Sequence, residues 1–97
     1  MGQNREDETY TLKYNPLVFD DLLALDAFWQ DEIREAIQTK LVAQPEHYGK
    51  PLRYTLKGRR SMRVGKYRIV FRIDQRTIRI LAVIDRSSEY KGIEGRW

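Results

Sequence analysis

The sequence of 97 residues contains no cysteine and a single histidine, His47. Without cysteine the chain can form neither disulfide bonds nor thiolate metal sites. One histidine alone can build neither a zinc site nor a Ser-His-Asp triad, and His47 follows the helix-breaking Pro45, so we interpret it as a loop residue. These absences exclude several common classes of catalytic and structural site.

The sequence also lacks a signal peptide and any long apolar run, so we expect a soluble cytoplasmic protein with no membrane contact. Its length predicts one domain with a single helix-on-sheet core. Residues 1–8 are polar and are predicted to be a flexible tail, and residues 9–92 form the domain. Residues 93–97 are treated as a C-terminal tail, either appended or native, because Ile93–Arg96 resembles a protease recognition sequence used to excise tags.

Charge is distributed unevenly between the two halves of the chain. Residues 1–47 carry a net charge of −6, whereas residues 48–97 carry +10. In the second half the basic residues alternate with apolar strand residues. This asymmetry predicts a polyanion, either nucleic acid or an acidic protein segment, as partner of the C-terminal half.

Hydrophobic periodicity predicts an α+β fold in the order β-α-α-β-β-β, with a two-helix hairpin packed on a small, twisted, mainly antiparallel sheet. Asn15-Pro16 and Asp26 are predicted to begin the two helices. The predicted helix stripes contain Val18, Phe19, Leu22, Leu23 and Leu25, followed by Phe28 or Trp29, Ile33, Ala36, Ile37 and Leu41. The other predicted segments are a first strand over 9–14, a second helix to about Ala43, a linker over Glu46–Pro51 and strands over 54–64, 67–73 and 77–84.

Residues 56–74 read as a tight β-hairpin with Gly65-Lys66 as a primed turn. The predicted register pairs Val64 with Tyr67, Arg63 with Arg68 and Met62 with Ile69. Two guanidinium groups then lie opposite each other. If the two charges are about 5 Å apart in an effective dielectric near 20, they repel each other by roughly 3 kcal/mol. We therefore expect an anion at this position.

The last two strands extend the same pattern. Pairing Ile73 with Ile78 also predicts pairs of Phe71 with Ile80, Ile69 with Ala82 and Tyr67 with Ile84. In this register Asp85-Arg86 emerges beside the Gly65-Lys66 turn. Five functional groups are predicted to converge there: Arg63, Lys66, Arg68, Arg86 and Tyr90.

Several segments, in this order and spacing, carry a family resemblance: Pro45–Leu52, Leu56–Gly58, Arg63–Phe71 and Asp85–Tyr90. With these motifs the chain resembles the RelE/ParE superfamily of toxin–antitoxin toxins. The resemblance to RelE-type toxins implies a ribosome-dependent endoribonuclease that cuts mRNA in the A site through attack of a ribose 2′-hydroxyl on the adjacent phosphate. It also implies a cognate antitoxin, the ribosome and mRNA as partners, with no metal or organic cofactor.

Carried over by position, the resemblance implies four catalytic residues: Arg63, Arg68, Arg86 and Tyr90. Lys57, Arg60 and Lys66 are predicted to bind RNA. Guanidinium forks on rigid strands can stabilise the charge that develops on phosphorus, and the tyrosine can stack on a base or orient the hydroxyl, or it can simply pack against the sheet edge.

The chain departs from the family pattern where a general base is expected. Ser61 replaces a lysine of RelE, and Asp85 replaces a histidine or lysine of many relatives. Arginine is a poor general base at neutral pH, so proton removal stays unassigned among Lys66, Lys57, Glu89 and Asp85.

Two other functions remain open from the sequence. ParE-type toxins share the architecture but act on DNA gyrase and generally lack the set of basic residues plus tyrosine. A catalytically silent relative would only bind its antitoxin.

Overall fold

A computed structural model describes residues 10–53, 56–88, 90 and 92–96. The described helices are α1 (Leu17–Leu23), α2 (Ala27–Ala36), which continues as a π-helical turn over Ile37–Leu41, and α3 (Pro45–Tyr48). The strands are β1 (Thr11–Tyr14), β2 (Lys50–Pro51), β3 (Arg60–Val64), β4 (Tyr67–Asp74) and β5 (Thr77–Asp85). None of the described helices combines the length and the apolar character that a membrane-spanning segment requires. The predicted N-terminal tail and Trp97 lie outside the described residues.

The five strands form one sheet in the order β1-β5-β4-β3-β2. β1 runs parallel to β5, and the other neighbours are antiparallel. Parallel neighbours require a long connection, which the helices supply between β1 and the rest of the sheet. The predicted α+β class with a mainly antiparallel sheet is confirmed.

Both predicted helix starts are confirmed by side-chain capping. Asn15 Oδ1 accepts a hydrogen bond from the Leu17 backbone N–H at 2.9 Å, and Pro16 lies between them. Asp26 Oδ1 accepts a bond from the Trp29 backbone N–H at 3.1 Å. Each cap satisfies a backbone donor that has no partner within the helix, which fixes where the helix begins.

The apolar stripe predicted for the first helix is only partly buried. Val18 is fully buried and Leu22 packs against the core, but Phe19 and Leu23 are 56% and 75% exposed. The two-turn helix α1 presents one side to the sheet, and Phe19 and Leu23 lie on the other. For α2 the sequence left open whether Phe28 or Trp29 belongs to the apolar stripe. Trp29 is half-buried and Phe28 is 60% exposed, so Trp29 is the residue that faces inward.

The predicted linker over Glu46–Pro51 is wrong. Pro45 begins the short helix α3, since the first helical position needs no backbone N–H donor. His47 is therefore a helical residue, and its interpretation as a loop residue is wrong. Lys50 and Pro51 then pair with Ser61 and Arg60 as strand β2. The strand predicted from residue 54 begins at Arg60, while residues 54 and 55 lie outside the described chain.

The β3–β4 hairpin has the predicted register. Val64 pairs with Tyr67, Arg63 with Arg68 and Met62 with Ile69. Gly65 adopts a φ of +60°, which suits the first central position of a primed turn. The guanidinium groups of Arg63 and Arg68 therefore extend from directly opposed backbone positions.

The predicted β4–β5 register holds for only half of its length. Ile73 pairs with Ile78 and Phe71 with Ile80, but Val70 then pairs with Ala82, so Leu81 is an extra residue that forms a β-bulge. Beyond the bulge Ile69 pairs with Val83, and Tyr67 pairs with Asp85, rather than with Ala82 and Ile84. One additional residue exchanges the two faces of a strand, so Val83 joins the core in place of Ala82.

Both faces of the sheet are covered. The main core lies between the helices and the sheet and includes Ile33, Ile37, Leu41, Ile69 and Phe71. On the opposite face, called the second face here, Leu56, Val70, Leu81 and Ala82 pack with Ile93, which is only 3% exposed. Residues 92–96, the C-terminal segment, thus lie against the second face.

Replacing Gly65 by alanine is expected to destabilise the fold by about 2–4 kcal/mol. A Cβ at Gly65 would overlap the Trp29 ring, and the φ of +60° disfavours any side chain. Gly58→Ala is a matched control, because Gly58 has a φ of +91° but no atom of the described residues within 4 Å of the added Cβ. Urea unfolding of both variants measures the difference, and equal losses of stability would show that the Trp29 contact does not constrain the turn.

Candidate functional site

A cleft of about 1000 Å³ opens between α2 and the outer edge of β3. Strand β2 pairs only with Arg60 and Ser61, so within the described chain the outer edge of β3 has no strand beside it from Met62 to Val64. The other wall is the side of α2 that carries Glu32 and Glu35. The short β2 strand therefore leaves this side of the sheet open.

Three of the predicted catalytic residues line this cleft: Arg63, Arg68 and Tyr90. Arg68 Nη1 donates a hydrogen bond to Tyr90 Oη at 2.8 Å, and Arg63 lies opposite Arg68 on the neighbouring strand. Arg63 is exposed, whereas Arg68 and Tyr90 are half-buried. The cleft therefore combines one anchored and one solvent-facing guanidinium group with a phenol.

Tyr90 is held both by its ring and by its hydroxyl group. Its ring packs against the apolar cluster of the second face, and its backbone has a φ of +62°, which is rare for a bulky residue. Because Arg68 donates the hydrogen bond to Tyr90, the phenolic proton remains available for a further acceptor. Packing against the sheet and a polar role in the cleft are thus compatible.

Arg86 and Lys66 lie at the same end of the sheet but do not line the cleft. The Arg86 backbone N–H donates to the Lys66 carbonyl at 2.8 Å, as expected if the last strand ends beside the hairpin turn. Lys66 Nζ lies 5.7 Å from the centre of the Tyr67 ring, and Tyr67 packs on the main core. The five predicted groups therefore share one end of the sheet, and three of them share the cleft.

Arg60 and Lys57 also lie outside the cleft lining. Arg60 Nη1 donates to the Gly49 carbonyl at 3.0 Å and so ties β3 to the segment between α3 and β2. Lys57 is exposed in the turn before β3. Their role in RNA binding stays a prediction.

Asp85 is poorly suited to act as a general base. Its Oδ1 atom accepts hydrogen bonds from the backbone N–H of Ser87 at 2.9 Å and from Ser87 Oγ at 2.7 Å. These bonds lower the pKa of the Asp85 carboxyl below its ordinary value, with smaller contributions from Lys66 and Arg86. A carboxylate with a lowered pKa takes up a proton less readily at neutral pH. Glu89, another residue considered for this role, lies outside the described residues.

The cleft contains charged residues that the sequence analysis did not select. Glu32 and Glu35 line the wall of the cleft that α2 forms. Lys40 and Lys50 also line the cleft. Lys40 Nζ is 5.7 Å from the centre of the Tyr48 ring, which also lines the cleft. The spacing of Glu32, Glu35 and Thr39 by three and four residues indicates one polar helix stripe, but it does not indicate that this stripe faces the cleft. Among the described residues, no group of three or more acidic or histidine side chains could hold a metal ion.

Comparison with known proteins gives one family model and several solved structures. The model, described as the ParE toxin of a type II toxin–antitoxin system, parDE, matches residues 12–90. A chain of the toxin–antitoxin complex RelBE2 from Mycobacterium tuberculosis is 35% identical with a TM-score of 0.76, over 80% of this chain and 99% of that one. No curated protein sequence matches the chain.

More distant structures share the fold. A mutant of the E. coli toxin RelE in the free state is 15% identical with a TM-score of 0.66, over 84% of this chain and 87% of that one. A chain of the archaeal RelE–RelB complex from Pyrococcus horikoshii is 22% identical with a TM-score of 0.58, over 81% of this chain and 97% of that one.

Proposed function

Because the chain belongs to the RelE/ParE family of toxins of type II toxin–antitoxin systems, we propose that it is an endoribonuclease that cuts mRNA in the ribosomal A site. The observation that carries this proposal is the opposed pair Arg63 and Arg68, with Tyr90 bound to Arg68, in an open cleft. RelE-type toxins, to which the motifs are similar, use basic residues and a tyrosine for this reaction.

The arginine pair suits a reaction that concentrates negative charge on phosphorus. When a ribose 2′-hydroxyl attacks the adjacent phosphate, the bond from phosphorus to the 5′-oxygen breaks and a 2′,3′-cyclic phosphate forms. Two guanidinium groups on neighbouring strands can donate to the oxygens of one phosphate, and strand pairing fixes the backbone positions from which they extend. The mutual repulsion of the pair falls when the anion binds.

Tyr90 contributes an aromatic face and a proton donor next to Arg68. An unstacked base can stack on an aromatic ring, and a phenolic proton can be donated to a phosphate oxygen or to the leaving oxygen. Among the described residues, Glu32 and Glu35 are the carboxylates that line the cleft, and they are candidates for accepting the proton of the 2′-hydroxyl. The ribosome would supply the rest of the effect by holding mRNA in an attack-ready shape.

An antitoxin is the second proposed partner. The solved relatives include the RelBE2, YoeB–YefM and RelE–RelB complexes. The basic strand wall of the cleft fits an acid-rich segment that folds on binding, and such a segment would cover Arg63 and Arg68.

Inhibition of DNA gyrase is the second candidate function, since the matching family model is described as a ParE toxin. The guanidinium pair with its tyrosine favours RNA cleavage, because ParE-type toxins generally lack that set. A silent antitoxin-binding relative is the third alternative.

Expression of the chain without an antitoxin is expected to arrest growth and to produce new mRNA 5′ ends inside translated regions, in register with codons. Sequencing of RNA ends before and after induction measures this. The matched control is the double variant Arg63→Ala/Arg68→Ala, which should give neither effect. Trapped double-strand DNA breaks without new RNA ends would instead support gyrase inhibition, and normal growth with a soluble protein would support the silent relative.

A further inference from the structure

The ion pair of Asp21 and Arg96 lies beside the β-bulge of β5. The pairing of β5 with β1 ends at Ile80. Just beyond that point Arg96 Nη1 donates to the Leu81 carbonyl at 2.8 Å and to Asp21 Oδ2 at 2.9 Å. The same Asp21 oxygen accepts a bond from the Val83 backbone N–H at 3.0 Å. One side chain of the C-terminal segment and one of α1 thus satisfy backbone groups of β5 beyond the end of its pairing with β1.

The C-terminal segment is held at two further points. Ile93 is almost fully buried in the apolar cluster of the second face. Arg59 Nη2 donates to the backbone carbonyl groups of Glu94 at 3.1 Å and of Arg96 at 3.2 Å. Chain that follows the last strand keeps one position only where contacts tie it down, so these contacts and the Asp21–Arg96 pair determine where the segment lies.

Tyr90 is close to these contacts, both along the chain and in space. It precedes Ile93 by three residues, which span at most about 11 Å when fully extended, and its ring packs in the same apolar cluster. Both Tyr90 and Gly92 have positive φ, of +62° and +82°. A tyrosine keeps this backbone conformation only when the surrounding structure holds it. Arg68 holds the hydroxyl group, and the anchored C-terminal segment holds the chain that follows the ring.

We propose that Arg96 is a positioning residue for Tyr90: it anchors the C-terminal segment to Asp21 and to β5, and so keeps the phenol beside Arg68 in the cleft. This inference rests on the proposed function, in which Tyr90 acts on RNA. Arg96 does not line the cleft, so it acts through Tyr90 and not on the substrate. A displacement of about 1 Å can lower a rate by about a hundredfold, so a remote anchor can have a large effect on cleavage.

NMR of the protein with 13C-labelled tyrosine rings tests the position of Tyr90 without any RNA. Loss of one signal in Tyr90→Phe assigns it. Arg96→Met removes the anchoring donor, so the Tyr90 signal should move toward its position in the urea-unfolded protein, while that of Tyr67, which packs on the main core, stays in place. Asp21→Asn keeps an acceptor for the Val83 N–H but removes the charge, so it should move the Tyr90 signal in the same direction by less.

Ile78→Ala is the control for lost stability. Ile78 is fully buried in the main core at the end of β5 away from the cleft, so its truncation destabilises the fold without touching the C-terminal segment. The inference requires that Ile78→Ala leave the Tyr90 signal in place. An unchanged Tyr90 signal in folded Arg96→Met, or an equal shift in Ile78→Ala, would overturn it. The same criteria apply to Asp21→Asn if Arg96→Met does not fold.

Single-turnover cleavage of mRNA on ribosomes, with saturating protein, tests the consequence for the reaction. Arg96→Met should lower the rate about ten- to a hundredfold in the chain that carries Tyr90. In the Tyr90→Ala chain it should lower the rate by less than about twofold, since the anchor then has no side chain to position. A merely structural role would lower the rate by one factor in both chains, so equal factors would contradict the inference.

The two measurements separate this inference from the nuclease proposal. If wild type fails to cut mRNA but Arg96→Met moves the Tyr90 signal and Ile78→Ala does not, the anchoring of Tyr90 stands and the nuclease proposal fails. If wild type cuts mRNA and Arg96→Met changes neither the signal nor the rate, the nuclease proposal stands and the positioning role of Arg96 is refuted.

Discussion

Arg68→Ala is expected to reduce the rate of mRNA cleavage on ribosomes by two to three orders of magnitude, the usual effect of removing one preorganised donor to a developing anion. Arg68 is half-buried, lies opposite Arg63 and donates to Tyr90 at 2.8 Å, so its loss removes a charge and releases the tyrosine hydroxyl. Single-turnover cleavage with saturating protein measures the effect on the chemical step.

Two further variants separate charge from geometry. Arg68→Lys keeps the charge but loses the planar fork, so we expect a recovery of only part of the rate. Tyr90→Phe keeps the ring and removes the hydroxyl group that accepts the Arg68 bond, so it should lose less than Arg68→Ala. Cleavage by folded Arg68→Ala at the wild-type rate would remove this arginine from the mechanism.

Asp21→Ala is expected to lower the free energy of unfolding by about 3–5 kcal/mol, the usual cost of breaking a largely buried ion pair from one side. Asp21 Oδ2 accepts bonds from Arg96 Nη1 at 2.9 Å and from the Val83 backbone N–H at 3.0 Å. The two charged side chains are only 15% and 17% exposed. The change would leave Arg96 with a poorly balanced charge and the Val83 N–H without its acceptor.

The neighbouring Asp20→Ala provides the control for this measurement. Asp20 is exposed in α1, so its loss should cost below about 1 kcal/mol. For a domain of this size, 1 kcal/mol corresponds to about 4–8 °C in the unfolding midpoint, so calorimetry resolves the two variants easily. Similar midpoints for both would mean that the C-terminal segment is not anchored through Asp21.

The helix starts and the β3–β4 turn could be predicted from the sequence, because each is determined by one or two residues at that point of the chain. Side-chain caps at Asn15 and Asp26 fix the helix starts, and a glycine with positive φ fixes the β3–β4 turn. The β-bulge had no such signal, because residues 80–84 are all apolar and either face of β5 could be buried. Strand alternation places Val70 on the second face together with Arg68 and Arg72, but its burial there depends on chain segments distant in sequence.

The candidate site was also predictable only in part. Alternation along two strands and a glycine turn suffice to place Arg63 opposite Arg68, and the family motif indicates Tyr90. The Glu32 and Glu35 wall depends on how α2 lies over the edge of β3, and strand periodicity contains no information on that. Arg86 was predicted at the correct end of the sheet, but the direction of its side chain relative to the cleft is a tertiary property.

Cleavage of mRNA with a single 2′-deoxynucleotide on programmed ribosomes tests the central claim most directly. The purified protein should cut the all-ribose mRNA within the A-site codon and leave a 2′,3′-cyclic phosphate. It should leave intact the mRNA that lacks the 2′-hydroxyl beside the scissile phosphate, since the nucleophile is then absent. Cutting of both mRNAs at the same position and rate would contradict the account, because the attacking group could not then be the ribose hydroxyl.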